Sequence, residues 1–256
     1  MKGAVLNTED ILRPEIMKKE EKVLILNHVW QKLEPVRGRA YLLEMDCWLK
    51  ESRFEGRLLV EPLSYEKFLE WCDEDTWAEW VNGKVIILSP ASRRHQELVG
   101  FLFSILNFFV QERGLGVVLS APFQMKTGPE LPGREPDLLF ISKERENLLK
   151  ETYLQGPADL VVEVVSPESR LRDKEEKFKE YEKGGVREYW VIDPELREAN
   201  FYRRDEEGKF REQKPNTLGI YYSQVLSDFK LKVGWLWEEP LPPVRETLQE
   251  LELIYK

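Results

Sequence analysis

The stretch PADLVVEVVSPES (157–169) sets one acid, Glu163, inside a run of valines, and its reading decides the fold. With Val161, Val162, Val164 and Val165 as neighbours, the carboxylate belongs to a buried strand, where an unpaired charge costs on the order of several kcal/mol. Period-two alternation puts Asp159, Val161, Glu163 and Val165 on one face and Leu160, Val162 and Val164 on the other. A second acid, Asp137, stands in REPDLLFIS (134–142) directly after Pro136, whose fixed φ and missing N–H suit the first residue of a strand. Two acids set on neighbouring apolar strands supply the oxygen ligands that a hard divalent cation requires.

Downstream, Asp173, Lys177 and Tyr181 recur every four residues and form one helical stripe, beside an apolar Phe178 that faces the sheet. A lysine on that border reaches the carboxylates. The helix runs from about 173 to 183 and stops at Gly184-Gly185, after which REYWVIDP and NFYRR read as strands. Upstream, Ser64 caps a short helix YEKFLEWC with Glu66 in its first turn, and WAEWVNGKVIILSP is a hairpin turning at Asn82-Gly83. A long amphipathic helix spans about 94–112 and closes at Gly114; a strand around 116–124 and a polar loop KTGPELPGRE lead into the Asp137 strand. The order is α/β (α+β), and it predicts a mixed central sheet flanked by helices. Residues 1–60, which mix charges and apolar residues without a chemical motif, read as an N-terminal extension, 61–236 as the main domain and 237–256 as a C-terminal tail.

A chain of 256 residues with 42% hydrophobic content can bury a full core. Its longest apolar stretch, LVGFLFSILNFFV (98–110), falls short of the roughly 18 residues of a membrane span. The opening MKGAVLNTEDILRPE has no apolar segment of a signal peptide, and two cysteines, Cys47 and Cys72, exclude a disulfide framework, so a reducing cytoplasm is expected. A net charge of −9 argues against non-specific coating of nucleic acid and leaves room for a local basic groove. In 168–183, six basic residues (Arg170, Arg172, Lys174, Lys177, Lys179, Lys183) face six acids, which favours a solvated helix surface. Arg93 and Arg94 are the better candidates for touching phosphate.

REPDLLFIS, PADLVVEVVSPES, the Asp173–Lys177–Tyr181 stripe and GGVREYWVIDP together resemble the Uma2 (DUF820) family of the PD-(D/E)xK nuclease superfamily, over roughly residues 63–235. WAEWVNGKVIILSP with His95, and SQVLSDFKLKV near 223–233, match the opening and closing segments of that family. The resemblance implies a restriction-endonuclease-like fold and a metal-dependent DNA endonuclease; cutting both strands of a duplex favours a homodimer with two active sites, and the cysteine usage and short apolar stretches favour the cytoplasm without a membrane. It implies that Asp137, Glu163 and the backbone carbonyl of Val164 hold Mg2+ or Mn2+, and that Lys177 orients the attacking water or stabilises transition-state charge. His95, Glu79, Asp173 and Tyr181 are supporting residues in the same reading.

The chain departs from the superfamily pattern in one respect: residue 165, where a lysine belongs, is valine, and the resemblance to the Uma2 family implies that Lys177 on the helix takes its role. Each residue also has a plainer reading. Glu163 and Lys177 can form a buried salt bridge that needs no metal, Asp137 can be a strand-start turn residue, His95 a helix-start residue, Asp173 a helix-dipole acid and Tyr181 a packing residue. A catalytically inactive nucleic-acid-binding or interaction protein that keeps the fold is therefore the alternative function, and a hydrolase of another phosphoester is a third.

Overall fold

The computed structural model describes residues 41–42, 64–72, 77–88, 90–167 and 169–254, so nearly all of the 1–60 extension lies outside the described residues. The chain divides into two compact units, Met1–Ser89 and Pro90–Lys256. In the first, strand β1 (Tyr41–Leu42) pairs antiparallel with β3 (Lys84–Ile87), and helix α1 (Tyr65–Trp71) starts at Ser64, whose side chain accepts from Lys67 N. Strand β2 (Ala78–Val81) forms the expected hairpin with β3, turning through Asn82 and Gly83, both at positive φ.

The second unit begins with α2 (Arg93–Arg113), capped by Ser92 at one end and by left-handed Gly114 at the other. Its main sheet has the order β12-β11-β10-β9-β7-β4. These strands are β4 (Gly116–Ser120), β7 (Leu138–Ser142), β9 (Leu160–Val164), β10 (Glu188–Asp193), β11 (Glu198–Arg204) and β12 (Phe210–Gln213). Only β9 and β10 run parallel; the other neighbours are antiparallel, so the sheet is mixed as the sequence implies. Short strands β5 (Gln124–Lys126), β6 (Gly133–Arg134) and β8 (Tyr153–Gln155) pair among themselves, and β13 (Ile220–Tyr222) and β14 (Lys230–Lys232) form a hairpin.

The alternation along β9 separates two cores. Leu160, Val162 and Val164 face α2 together with Leu138, Phe140, Trp190 and Ile192. Val161 and Val165 lie on the opposite face with Leu139, Ile141, Tyr189 and Val191, against α3 (Lys177–Gly184). Glu163 belongs to that second face by its position in the strand, and Phe178 of α3 packs there on Tyr202 and Phe210.

Several segments differ from the sequence reading. The helix near 173 starts earlier and opens into a π-helical turn at Arg172–Glu176 before α3. The strand expected to reach residue 124 ends at Ser120, and the polar loop after it buries Arg134, whose guanidinium forms a two-point pair with Glu180 of α3. Residues 237–256, read as a tail, include α4 (Val244–Glu250), with Leu248 and Leu251 in the α2 core.

Glu188, the first residue of β10, is fully buried and accepts five hydrogen bonds. The donors are Trp190 Nε1, Tyr221 Oη, Ser223 Oγ and the backbone N–H groups of Gln224 and Val225. This carboxylate fastens the closing segment SQVLSDF to the sheet.

Candidate active site

Strands β7 and β9 set the acids. Their register pairs Leu139 with Val161 and Leu138 with Val162, and one step further brings Asp137 opposite Glu163. There the side chain of Asp137 replaces the ladder: its Oδ2 accepts the N–H of Val164 at 2.7 Å. Like charges directly opposed on one sheet face repel, so this arrangement needs cationic partners.

Two helices supply them. Lys177 Nζ donates to Glu163 Oε1 at 2.7 Å and lies 3.3 Å from Asp173 Oδ1. Tyr181 Oη donates to the same Glu163 Oε1 at 2.9 Å. Among the described residues, no hydrogen bond reaches Glu163 Oε2. From the start of α2, His95 Nε2 sits 3.2 Å from Asp137 Oδ2. The predicted stripe Asp173–Lys177–Tyr181 thus meets Glu163, and His95 meets Asp137.

The electrostatics follow from burial. Desolvation pushes the Glu163 carboxyl up from the ordinary 4.5 to about 8; the charges of Asp173 and Asp137 add to the rise, and Lys177 opposes it. His95 is pulled down by desolvation, but the Asp137 carboxylate, the charge of Asp173 and the Val164 backbone outweigh that and raise it above 6.5. Burial also drives the Tyr189 phenol well above its ordinary value, so it remains a donor.

Folded-state values raised above the unfolded ones stabilise the protein fully below the unfolded pKa, and that stabilisation is lost as the pH rises through the folded one. For Glu163 the window runs from 4.5 to about 8, and for His95 it begins at 6.5. The urea midpoint of the metal-free protein should therefore carry a component that falls across this range, and Glu163→Gln should flatten it. An unchanged slope in Glu163→Gln would show that Glu163 is not the group that holds the proton.

The donor set fits a hard divalent cation. Asp137 Oδ2 accepts the Val164 N–H and faces His95 Nε2, so a carboxylate and a strand-end peptide meet at one place. Glu163 keeps one oxygen without a hydrogen bond beside them. Among the described residues no group of three His, Cys, Asp or Glu side chains is arranged to hold an ion. A magnesium-like ion does not require one, because it binds through one or two carboxylates and completes its shell with water and substrate phosphate.

Other candidates are placed differently. Arg94 is turned inward and donates to the Leu236 carbonyl at 2.8 Å, so its guanidinium is engaged by the protein rather than offered to phosphate. Arg93 is exposed and pairs with Glu97. Glu79 is buried on β2 in the first unit. Arg170 and Lys174 close on Asp193, which is fully buried at the end of β10. Desolvation raises that carboxyl, but the bonds from Arg170, Leu196 N–H and Lys174 prevail and hold it low. Asp193 and Tyr189, whose Oη donates to the Asp173 carbonyl at 2.9 Å, were not candidates from the sequence. The signal for Asp193 was present, since EYWVID ends an apolar strand with an acid, as LVVEV contains one.

A family model, Uma2, described as "Putative restriction endonuclease", matches residues 65–234. This chain belongs to the Uma2 family. The Uma2 domain is also similar in fold to a solved structure from Anabaena variabilis ATCC 29413, titled "a putative nuclease belonging to DUF820". The two are 18% identical with a TM-score of 0.57, and the match covers 69% of this chain and 98% of the other. No curated protein shows a sequence match. No described helix of this Uma2 protein is long and apolar enough to cross a membrane.

Proposed function

We propose that this Uma2 protein is a divalent-metal-dependent endonuclease that hydrolyses DNA phosphodiester bonds, acting as a homodimer in the cytoplasm. The observation that carries the reading is the convergence of Asp137, Glu163 and Lys177 on one strand end, with Glu163 Oε1 tied to Lys177 and Tyr181 and Oε2 left open. Asp137, Glu163 Oε2 and the Val164 carbonyl would hold Mg2+ or Mn2+. Bound there, the ion would polarise a phosphoryl oxygen and acidify an attacking water. Lys177 holds its ammonium beside Glu163, where it orients that water and offsets charge growing on the phosphate oxygens. His95 steadies the Asp137 carboxylate. Two copies of the site would serve the two strands of a duplex.

The closed Lys177–Glu163 pair supports a second reading, a nucleic-acid-binding protein that keeps the fold and cuts nothing. Plasmid nicking separates the two. Under the first reading supercoiled DNA is nicked with Mg2+ or Mn2+ and left intact with EDTA, and Asp137→Ala and Glu163→Ala each remove the activity. Equal trace nicking by wild type and both variants would remove the DNA-nuclease reading, and a DNA mobility shift would then test the binding reading.

A further inference from the structure

Lys177 reaches Glu163 from a helix, so its position depends on how that helix is held against the sheet. The segment that leads into it is not a regular α-helix: the N–H of Lys177 bonds to the Arg172 carbonyl, five residues back. The Asp173 carbonyl, which an α-helix would have paired with that N–H, instead accepts from Tyr189 Oη at 2.9 Å. Tyr189 is itself fully buried and edge-on to Tyr181 at 5.1 Å between ring centres.

The wide turn lets one short segment face two ways. Arg170 and Lys174 close on Asp193, at 2.7 and 3.3 Å, while Asp173 and Lys177 face Glu163. Both anchors, Tyr189 and Asp193, come from β10, the parallel neighbour of the strand that bears Glu163, where Val191 is the register partner of Glu163. The lysine is thereby tied by side chains to the same sheet as the acid it serves.

We propose that Tyr189 and Asp193 are positioning residues for Lys177, holding the π-helical turn open so that the ammonium meets Glu163 Oε1. The consequence for catalysis rests on the nuclease reading; the consequence for Lys177 itself does not. Lys177 is buried, whereas Lys179, two residues on, is exposed, which makes the pair a built-in comparison for acylation by acetic anhydride, read by peptide mass spectrometry on the full chain.

Tyr189→Phe keeps the ring and removes only the hydroxyl. It should raise labelling of Lys177 by about fivefold or more while Lys179 stays unchanged, because the opening is local. Plasmid nicking by the same variant should lose about tenfold or more in kcat at nearly constant KM, the pattern of an interaction needed in the transition state. Asp193→Asn should act in the same direction and carries the test if the first variant does not fold. Unchanged Lys177 labelling in either folded variant, or an equal rise at Lys177 and Lys179, overturns the proposal. A selective rise at Lys177 in a protein whose wild type never nicks DNA upholds the positioning role and sinks the nuclease reading alone.

Discussion

Lys177→Met should lower the rate of plasmid nicking by about 10²- to 10³-fold, the scale on which a single oriented donor to a developing charge acts. Methionine preserves most of the buried volume and removes the ammonium that sits 2.7 Å from Glu163. It should also destabilise the fold, since removing one partner of a buried ion pair costs roughly 3–5 kcal/mol when the other remains charged. The two effects differ in pH dependence. Burial raises the Glu163 carboxyl to about 8 even with Lys177 opposing the rise, so without Lys177 it stays neutral at neutral pH and much of the folding cost is absent. The urea midpoint should fall below wild type increasingly as the pH rises through 8, whereas the catalytic loss is present throughout. A double variant, Glu163→Leu with Lys177→Met, should recover stability and remain inactive. If the single variant cuts DNA at the wild-type rate, Lys177 is only a structural counter-ion.

Glu188→Ala should be among the most damaging single changes to folding, by about 4 kcal/mol or more. Five donors lose their acceptor at once, and each buried polar group left unpaired costs roughly 1–3 kcal/mol, with partial relief as water enters. The closing segment from Ser223 to Val225 would detach from β10, because two of those donors are its backbone N–H groups. Hydrogen exchange at Gln224 and Val225 should accelerate more than exchange in β7. A loss under about 1 kcal/mol in urea titration would show that the aromatic stack of Tyr221 on Phe201, rather than the carboxylate, holds the segment.

The valine run around Glu163 and the Pro-Asp start of the next strand made the mixed sheet legible, as did the four-residue spacing of Asp173, Lys177 and Tyr181. The reason is periodicity: these residues are placed by a strand or helix repeat that the sequence displays. The wide turn at Arg172–Glu176 has no such signature, because one extra residue in a helix leaves the composition unchanged. The inward turn of Arg94 depends on a carbonyl 142 residues away, which no local pattern contains.

Buried strand acids are also less specific than the sequence implies. Asp159, Glu188 and Asp193 satisfy the same criterion as Glu163. What separates them is the completeness of their partners. Asp159 receives Ser142 N–H, Arg145 and Arg187, Asp193 is clamped by Arg170 and Lys174, and Glu188 has its five donors. Glu163 alone of these four takes its donors on a single oxygen. Residue identity points to burial; only the three-dimensional partner set tells an acid that fastens the fold from one that can accept a ligand.

The placement of both anchors on β10 bears on how the protein is made. A ribosome delivers Asp137, Glu163 and Lys177 before it delivers Tyr189 and Asp193, so a growing or truncated chain that ends ahead of β10 carries all three site residues without the strand that anchors the Lys177 segment. Under the nuclease proposal, competence would then switch on late in synthesis, and fragments released early would leave the DNA of the cell that makes them uncut.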